Sequence, residues 1–558
     1  MKRCPQCNRV ETDEALAFCR VDGTALVNDS AAGEIETSIL PQRTDTGISR
    51  ATAPTTVLPS QVAAGATQKL FTSKRRALVP ALAVLITAAF VVAGYLYLVR
   101  RDRTAIQSIA VMPFINASDN ADVEYLSDGM TETLISSLSQ LTNLNVKARS
   151  TVFRYKGKST DAKTIGKELH VQALLNGRVM QRGDQLTLSL ELVNADTENV
   201  IWSDQYNRKQ SDLVTLQTEI ARDVSQKLKM KLSGADEQKL AKDYTKNTEA
   251  CQLYLKGRFY WNRRTVPDLQ TSIEYFNQAI AIDPNYALAY AGLSNAYSNL
   301  AQFAGMPADT LMKARDAARK AVSLDDNLAE AHTGLAFAIQ QSDYNFAESE
   351  REFRRAIQLN PNYATAHQWY GNLLSILGRH EESLAELRRA LDLDPFSLII
   401  NKNYANSFYY ARRYGESIAH LKQTIDLNPN FSLAHQDLSQ AYQATGQYAE
   451  SVEEFARYQE LIDERQAASL IRQSYARNGW QGFLRLITSD SRPVKIRNDD
   501  LAIYYTALGD KDKAFSALNQ AYVAGNGELC WMRVEPAFDP VRDDPRFQEL
   551  LRKLGFLQ

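Results

Sequence analysis

Four stretches of this chain repeat one local pattern: IAIDPNYALAYAGLSNAY (280–297), IQLNPNYATAHQWYGNLL (357–374), LDLDPFSLIINKNYANSF (391–408) and IDLNPNFSLAHQDLSQAY (425–442). Each reads as the end of one helix, an Asp-Pro or Asn-Pro stop, and the start of the next helix. From Pro361 to Pro395 to Pro429 the interval is thirty-four residues. VSLDDNLAEAHTGLAFAI (322–339) joins the series with Asp326 at the proline position. Small residues (Gly371, Ala390, Ala405, Ala279) let helices approach, and large ones (Tyr370, Phe276, Leu387, Leu421, Phe455) fill the space between them. Gly378 and Gly446 separate the two helices of a pair. No single pair buries its apolar face alone, so the pairs must stack into a solenoid.

The period resembles the tetratricopeptide (TPR) repeat, two antiparallel helices per unit. Five or six good repeats run from about 249 to 463, and a weaker one follows at LAIYYTALGDKDKAFSALNQAYVAG (501–525). WMRVEPAFDPVRDDPRFQELLRKLGFLQ reads as a terminal cap, so the solenoid is assigned to 245–558. The resemblance implies a concave face lined by the first helix of each pair. Gln368, Asn372 and Ser375 would stand there, then Lys402, Asn406 and Tyr409, then Gln436, Gln440 and Gln443. Side-chain amides both donate and accept, so this row could bond an extended backbone, and a protein or peptide is the expected partner. The bland alternative is a hydrated polar surface. His332, His367 and His435 recur at like positions and so follow the repeat rather than a reaction. YWNRR (260–264) reads as aromatic filling rather than a base-stacking platform.

Ahead of the repeats lies an α+β pattern. SIAVMPF (108–114) is a buried strand, DGMTETLISSLSQL (128–141) an amphipathic helix with Asp128 as its N-cap, and LNVKARS (144–150) a second strand. DAKTIGKELHV (161–171) is a further helix, and residues 173–206 alternate as an antiparallel meander turning at 182–184 and 194–199. A helix over 212–232 closes the unit, assigned to 105–235. Asp128 and Glu132 lie one turn apart but read as a cap and a surface residue, not a catalytic pair. Gly157-Lys158-Ser159 lacks the leading glycine of a phosphate loop, since position 152 is Val152. The stretches SIAVMPFINAS, EYLSDGMTETLISSLSQL, KARSTVFRYKGK, IGKELHVQALLNGRV and IWSDQYNRK resemble the TolB-like (FlgO-like) domain of bacterial proteins. That resemblance implies a non-catalytic sensory or assembly module and carries no catalytic residues.

ALVPALAVLITAAFVVAGYLYLV (77–99) has no charge and is bracketed by basic clusters at 74–76 and 100–103. About twenty apolar residues span a bilayer as one helix, so a single transmembrane helix is expected. The first residues offer Cys4, Cys7, Cys19 and Asp22 in a C-x-x-C, C-x-x-D arrangement. Paired thiolates on tight turns suit one zinc ion, with Asp22 an unusual fourth ligand, and the segment (1–27) resembles a bacterial zinc ribbon. Thiolate ligands favour a reducing compartment. The expected layout is a bacterial inner-membrane protein with a cytoplasmic N-terminus and the remaining domains outside. Residues 28–76 contain a stretch rich in Ala, Thr, Ser and Gly and read as a flexible linker.

The whole is therefore expected to be multidomain: a small zinc ribbon, one transmembrane helix, an α+β domain and an all-α solenoid. Net charge is −1, which gives no global electrostatic case for nucleic acid. No Gly-rich phosphate loop, kinase catalytic loop or nucleophile elbow is present, so neither enzymatic activity, a small-molecule substrate nor an organic cofactor is expected. The leading expectation is a membrane-anchored protein-binding scaffold or signal relay. The alternatives are a regulator whose zinc ribbon contacts nucleic acid or a regulatory protein, and an accessory subunit of a kinase or cyclase system.

Overall fold

The structure, a computed structural model, describes residues 106–556 apart from 119, 121–122, 229–231 and 305–307, together with three short strands near the N-terminus. The apolar stretch 77–99, the 28–76 linker and Cys4, Cys7, Cys19 and Asp22 lie outside the described residues. Among the described residues no helix is long and apolar enough to cross a membrane, and no group of His, Cys, Asp and Glu is placed to hold a metal. The chain divides into two compact units, Met1–Val84 and Leu85–Gln558. In the first, β1 (Lys2–Arg3) lies between β2 (Val10–Glu11) and β3 (Val27–Asn28), antiparallel to both.

The second unit opens with the α+β part. Its elements are β4 (Ser108–Val111), β5 (Ile115–Asn116), α1 (Glu124–Ser139), β6 (Asn145–Val146), α2 (Arg149–Phe153), α3 (Ala162–Leu169), β7 (Ala173–Arg182), β8 (Gln185–Asn194), β9 (Val200–Lys209), α4 (Leu213–Lys227) and α5 (Gly234–Leu240). The sheet order is β6-β4-β7-β8-β9, with β5 also on β7. β4 runs parallel to β6 and β7, while β7, β8 and β9 form the antiparallel meander. Alternation does the work there: Leu186, Leu188, Leu190 and Leu192 are all buried. Asp161 caps α3 by accepting from the Thr164 amide.

Two local expectations are corrected. The strand expected over 144–150 stops at Val146, because Ser150 and Thr151 turn into α2 and give their hydroxyls to Asp394 of the solenoid. Asp128 is not a cap: α1 begins at Glu124, and Asp128 lies buried in its second turn against Lys156 at 2.5 Å.

Helical pairs then follow: α6 (Thr248–Trp261) with α7 (Val266–Ile282), α8 (Ala287–Ala304) with α9 (Ala308–Leu324), α10 (Ala329–Ser342) with α11 (Phe346–Leu359), α12 (Ala364–Ile376) with α13 (His380–Leu393), α14 (Leu398–Tyr410) with α15 (Tyr414–Leu427), and α16 (Ser432–Ala444) with α17 (Tyr448–Leu461). α18 (Arg465–Thr488) is broken at Gly479, whose φ is +58°, and α19 (Asn498–Leu508) pairs with α20 (Lys511–Val523). Phe276, Leu387 and Leu421 are fully buried between these helices, as are Ala279, Ala390 and Ala405.

The Asp/Asn-Pro stops have a second use. They form the edge on which the α+β part sits. Lys242 reaches Asp325 at 2.6 Å, the Thr245 hydroxyl donates to Asp283 at 2.6 Å, and Thr151 donates to Asp394 at 2.6 Å. The Asn362 amide donates to the carbonyls of Ser139, Leu141 and Leu144 at 3.1–3.2 Å, which satisfies backbone acceptors left over at the end of α1.

The C-terminal segment adds two 3-10 runs, Gly527–Arg533 and Pro536–Val541, and α21 (Pro545–Lys553). Phe538, Phe547 and Leu550 cover α19 and α20, as a cap would. The same segment also reaches back across the array. Trp531 stacks on Tyr410 at 4.7 Å, the Arg412 guanidinium donates to the Val534 carbonyl at 2.7 Å, and Phe556 stacks on Phe346 at 4.5 Å. The solenoid is thereby closed on itself.

Candidate peptide-binding cavity

With the α+β part on one edge and the C-terminal segment bridging the repeats, the first helices enclose a cavity of about 1390 Å³. Gln368, Asn372, Ser375, Lys402, Asn406, Gln436, Gln440 and Gln443 line it. Tyr409 does not. It is buried, and its hydroxyl donates to the Glu535 carboxylate at 2.6 Å. Burial pushes the Tyr409 hydroxyl and the Glu535 carboxyl both upward, which keeps the phenol a donor. The repeat predicts that Tyr409 faces the groove; the returning C-terminal segment covers it instead.

The lining residues are not equivalent. Ser375 shares a hydroxyl cluster with Ser383 and Ser407, at 2.8 and 3.1 Å. Lys402 and Asn406 both engage Asp437, at 3.0 and 2.7 Å. These three therefore hold neighbouring helices together. Gln368, Asn372, Gln436, Gln440 and Gln443 make no side-chain bond among the described residues, so their donors and acceptors face the cavity uncommitted.

Charge is distributed unevenly. On the α16–α19 side stand Asp437, Asp499 and Asp500, with Arg497 paired to Asp499 at 3.0 Å and to Asp500 at 3.3 Å. Burial pushes the Asp500 carboxyl upward; Arg497 opposes this and Asp499 adds to it. On the α1–α6 side the order is reversed. Glu132 is buried and receives Arg149, both Nε and Nη2 of Arg258 at 3.3 and 3.2 Å, and the Asn262 amide at 2.6 Å. The expectation that Glu132 is a plain surface residue is corrected: it is the carboxylate hub joining α1, α2 and α6. Its heptad-like position on α1 looks solvent-facing until α6 covers it. Arg264 lies on the same side and is absent from the sequence-predicted set. Its only sequence signal was its place beside Trp261.

Comparison with known proteins places these parts. Residues 105–223 match the family profile of the HilA/YgeH-like transcriptional regulator, second domain, across the region where the sequence resembles a TolB-like domain. Residues 338–397 and 404–469 match the tetratricopeptide repeat, so the solenoid is a TPR array. A curated protein of Rhizobium meliloti (strain 1021), named "Putative adenylate cyclase 3", is 30% identical over 234 residues, 42% of this chain and 40% of that protein. The chain thus spans less than half the length of that relative. Solved structures with related helical repeats include TTC0263, a TPR protein of Thermus thermophilus, at 16% identity, TM-score 0.28, covering 35% of this chain and 96% of that one. Pseudomonas aeruginosa pilF is 18% identical, TM-score 0.27, over 49% and 98%. YrrB, a TPR protein with an unusual peptide-binding site, is 17% identical, TM-score 0.26, over 36% and 97%.

Proposed function

We propose that this chain is a non-enzymatic, membrane-anchored binding protein that holds an extended segment of a partner in its TPR cavity and relays or scaffolds a signal. The observation that carries the reading is the set of uncommitted amides, Gln368 and Asn372 on α12 and Gln436, Gln440 and Gln443 on α16, the first helices on either side of α14. Each can bond a backbone N–H and C=O together, which suits an extended chain of any sequence. The test is a selection from a random peptide display library on the full chain in detergent. Selected peptides should lose about tenfold in affinity on the Gln436→Ala/Gln440→Ala variant, roughly 1.4 kcal/mol. Failure to enrich any peptide, or equal binding by the variant, sinks the reading.

The anchor is the 77–99 stretch, with the head (Cys4, Cys7, Cys19, Asp22) in the cytoplasm holding zinc and the α+β and TPR parts outside. Protease added to intact spheroplasts should remove the solenoid and leave a protected N-terminal fragment that carries one zinc; the opposite protection pattern reverses the layout. A second reading rests on the relative named as an adenylate cyclase and the HilA/YgeH-like match. In it the chain serves a cyclase or transcriptional pathway, as an accessory component or through nucleic-acid contact by its head. A pull-down of the head with DNA and cytosolic extract separates that reading from the scaffold.

A further inference from the structure

The Arg264 guanidinium lies face-on over the Trp261 ring, 3.7 Å from its centroid. It makes no hydrogen bond or ion pair with any described residue, and both residues line the cavity. Arg264 is open, but what it opens onto is the cavity. Trp261 is itself 93% buried, and its indole Nε1–H has no hydrogen-bond partner. An orphaned buried donor is costly.

The neighbours sharpen the point. Arg149 and Arg258 stand close to Arg264, Asp128 and Glu132 are set against Arg149, and Glu132 is the carboxylate whose charge reaches Arg264. Glu132 is already taken by Arg149, Arg258 and Asn262. The like charges of Arg258 and Arg149 act against the Arg264 cation. A cation disfavoured in this way gains when an anion arrives. The free donors are one planar fork and one N–H, which match a single forked acceptor.

We propose that Arg264 and the Trp261 indole N–H form an anion site at the α6 end of the cavity that takes one carboxylate of the bound segment, either an acidic side chain or a chain terminus. This rests on the reading of the cavity as a peptide site and adds its polarity: the acidic end of the ligand points toward α6, away from Asp499 and Asp500.

Glutarate is a suitable probe, titrated calorimetrically into the full chain in neutral detergent at low ionic strength. One equivalent should bind, and added salt should weaken it. Arg264→Gln should weaken binding by about tenfold or more, and Arg264→Lys less, since charge is kept but the fork is lost. Trp261→Phe should weaken it while keeping the stacked face. Lys163→Gln, an exposed cation on α3, should change nothing. Absence of glutarate binding, undiminished binding by Arg264→Gln, or preference for inorganic phosphate over glutarate overturns the site. If glutarate binds through Arg264 but no peptide is selected, the peptide reading falls and the anion site stands. If peptides are selected and Arg264→Gln leaves both their binding and that of glutarate intact, the reverse holds.

Discussion

Three histidines are held by the same clamp. His332 Nδ1 meets Glu352 at 2.6 Å and its Nε2 meets the Asp326 carbonyl at 2.9 Å; His367 meets Glu386 at 2.6 Å and the Pro361 carbonyl at 3.0 Å; His435 meets Glu454 at 2.5 Å and the Pro429 carbonyl at 3.1 Å. Both partners of the His332 and His435 rings are acceptors, so only the imidazolium satisfies them together. In the intervening repeat Asn401 takes the place, donating to the Pro395 carbonyl at 2.9 Å. Burial pulls His332 and His435 down, but the carboxylate and carbonyl outweigh it and both end above the usual value. A folded value raised above the unfolded one gives stability that is full below about pH 6.5 and fades as pH rises through the folded value. The urea midpoint should therefore fall between about pH 6 and about pH 9, and the His332→Gln/His435→Gln variant should flatten that fall. Equal slopes for variant and parent would remove the clamp from the account.

At the scale of helices, glycine placement decides how closely a pair can pack. A Cβ at Gly371 would lie 2.6 Å from Leu387 Cγ and 3.2 Å from the Ser383 carbonyl. Gly371→Ala gains about 1 kcal/mol of helix propensity but overpacks the α12–α13 contact by about 1–3 kcal/mol. A net loss of about 1 kcal/mol is expected by chemical denaturation, and it should vanish when Gly371→Ala is introduced into the Leu387→Ala background, where the obstructing Cγ is gone. Additive losses in the double variant would show that the contact is not the cause. Gly378 is different: nothing lies within 4 Å of its Cβ position, and its φ of +75° alone sets the requirement, where the chain turns back into α13.

The molecule as a whole is organised by what covers the two edges of the solenoid. Asn362 and Asp394 join the α+β part to the stops between pairs, and each removes several polar groups from water at once. Asn362→Ala/Asp394→Ala should loosen this docking by a few kcal/mol (about 1–3 for each site) without unfolding either part. Hydrogen exchange should then speed up at the end of α1 and in α2 while the β7–β8–β9 meander keeps its protection. Unchanged exchange over residues 139–151 would assign the docking to other contacts. Because the same docking closes the cavity, peptide and glutarate binding should weaken in this variant too.

The thirty-four-residue interval by itself determined the paired helices, their stacking and which amides face inward, because periodicity and proline stops are local and the inward face repeats with them. Alternation likewise determined the β7–β8–β9 meander. What only the tertiary structure decided lies where distant segments meet. Glu132 reads as exposed and Asp128 as a cap until the neighbouring elements bury both within α1; Tyr409 reads as groove-facing until Glu535, 126 residues later, covers it. Arg264 becomes a lone cation only because the neighbouring carboxylate is taken by two other arginines. Such pairings depend on long-range contacts that leave no period in the chain, so the physical partner of a charge, unlike the face of a helix, has to be read from the fold.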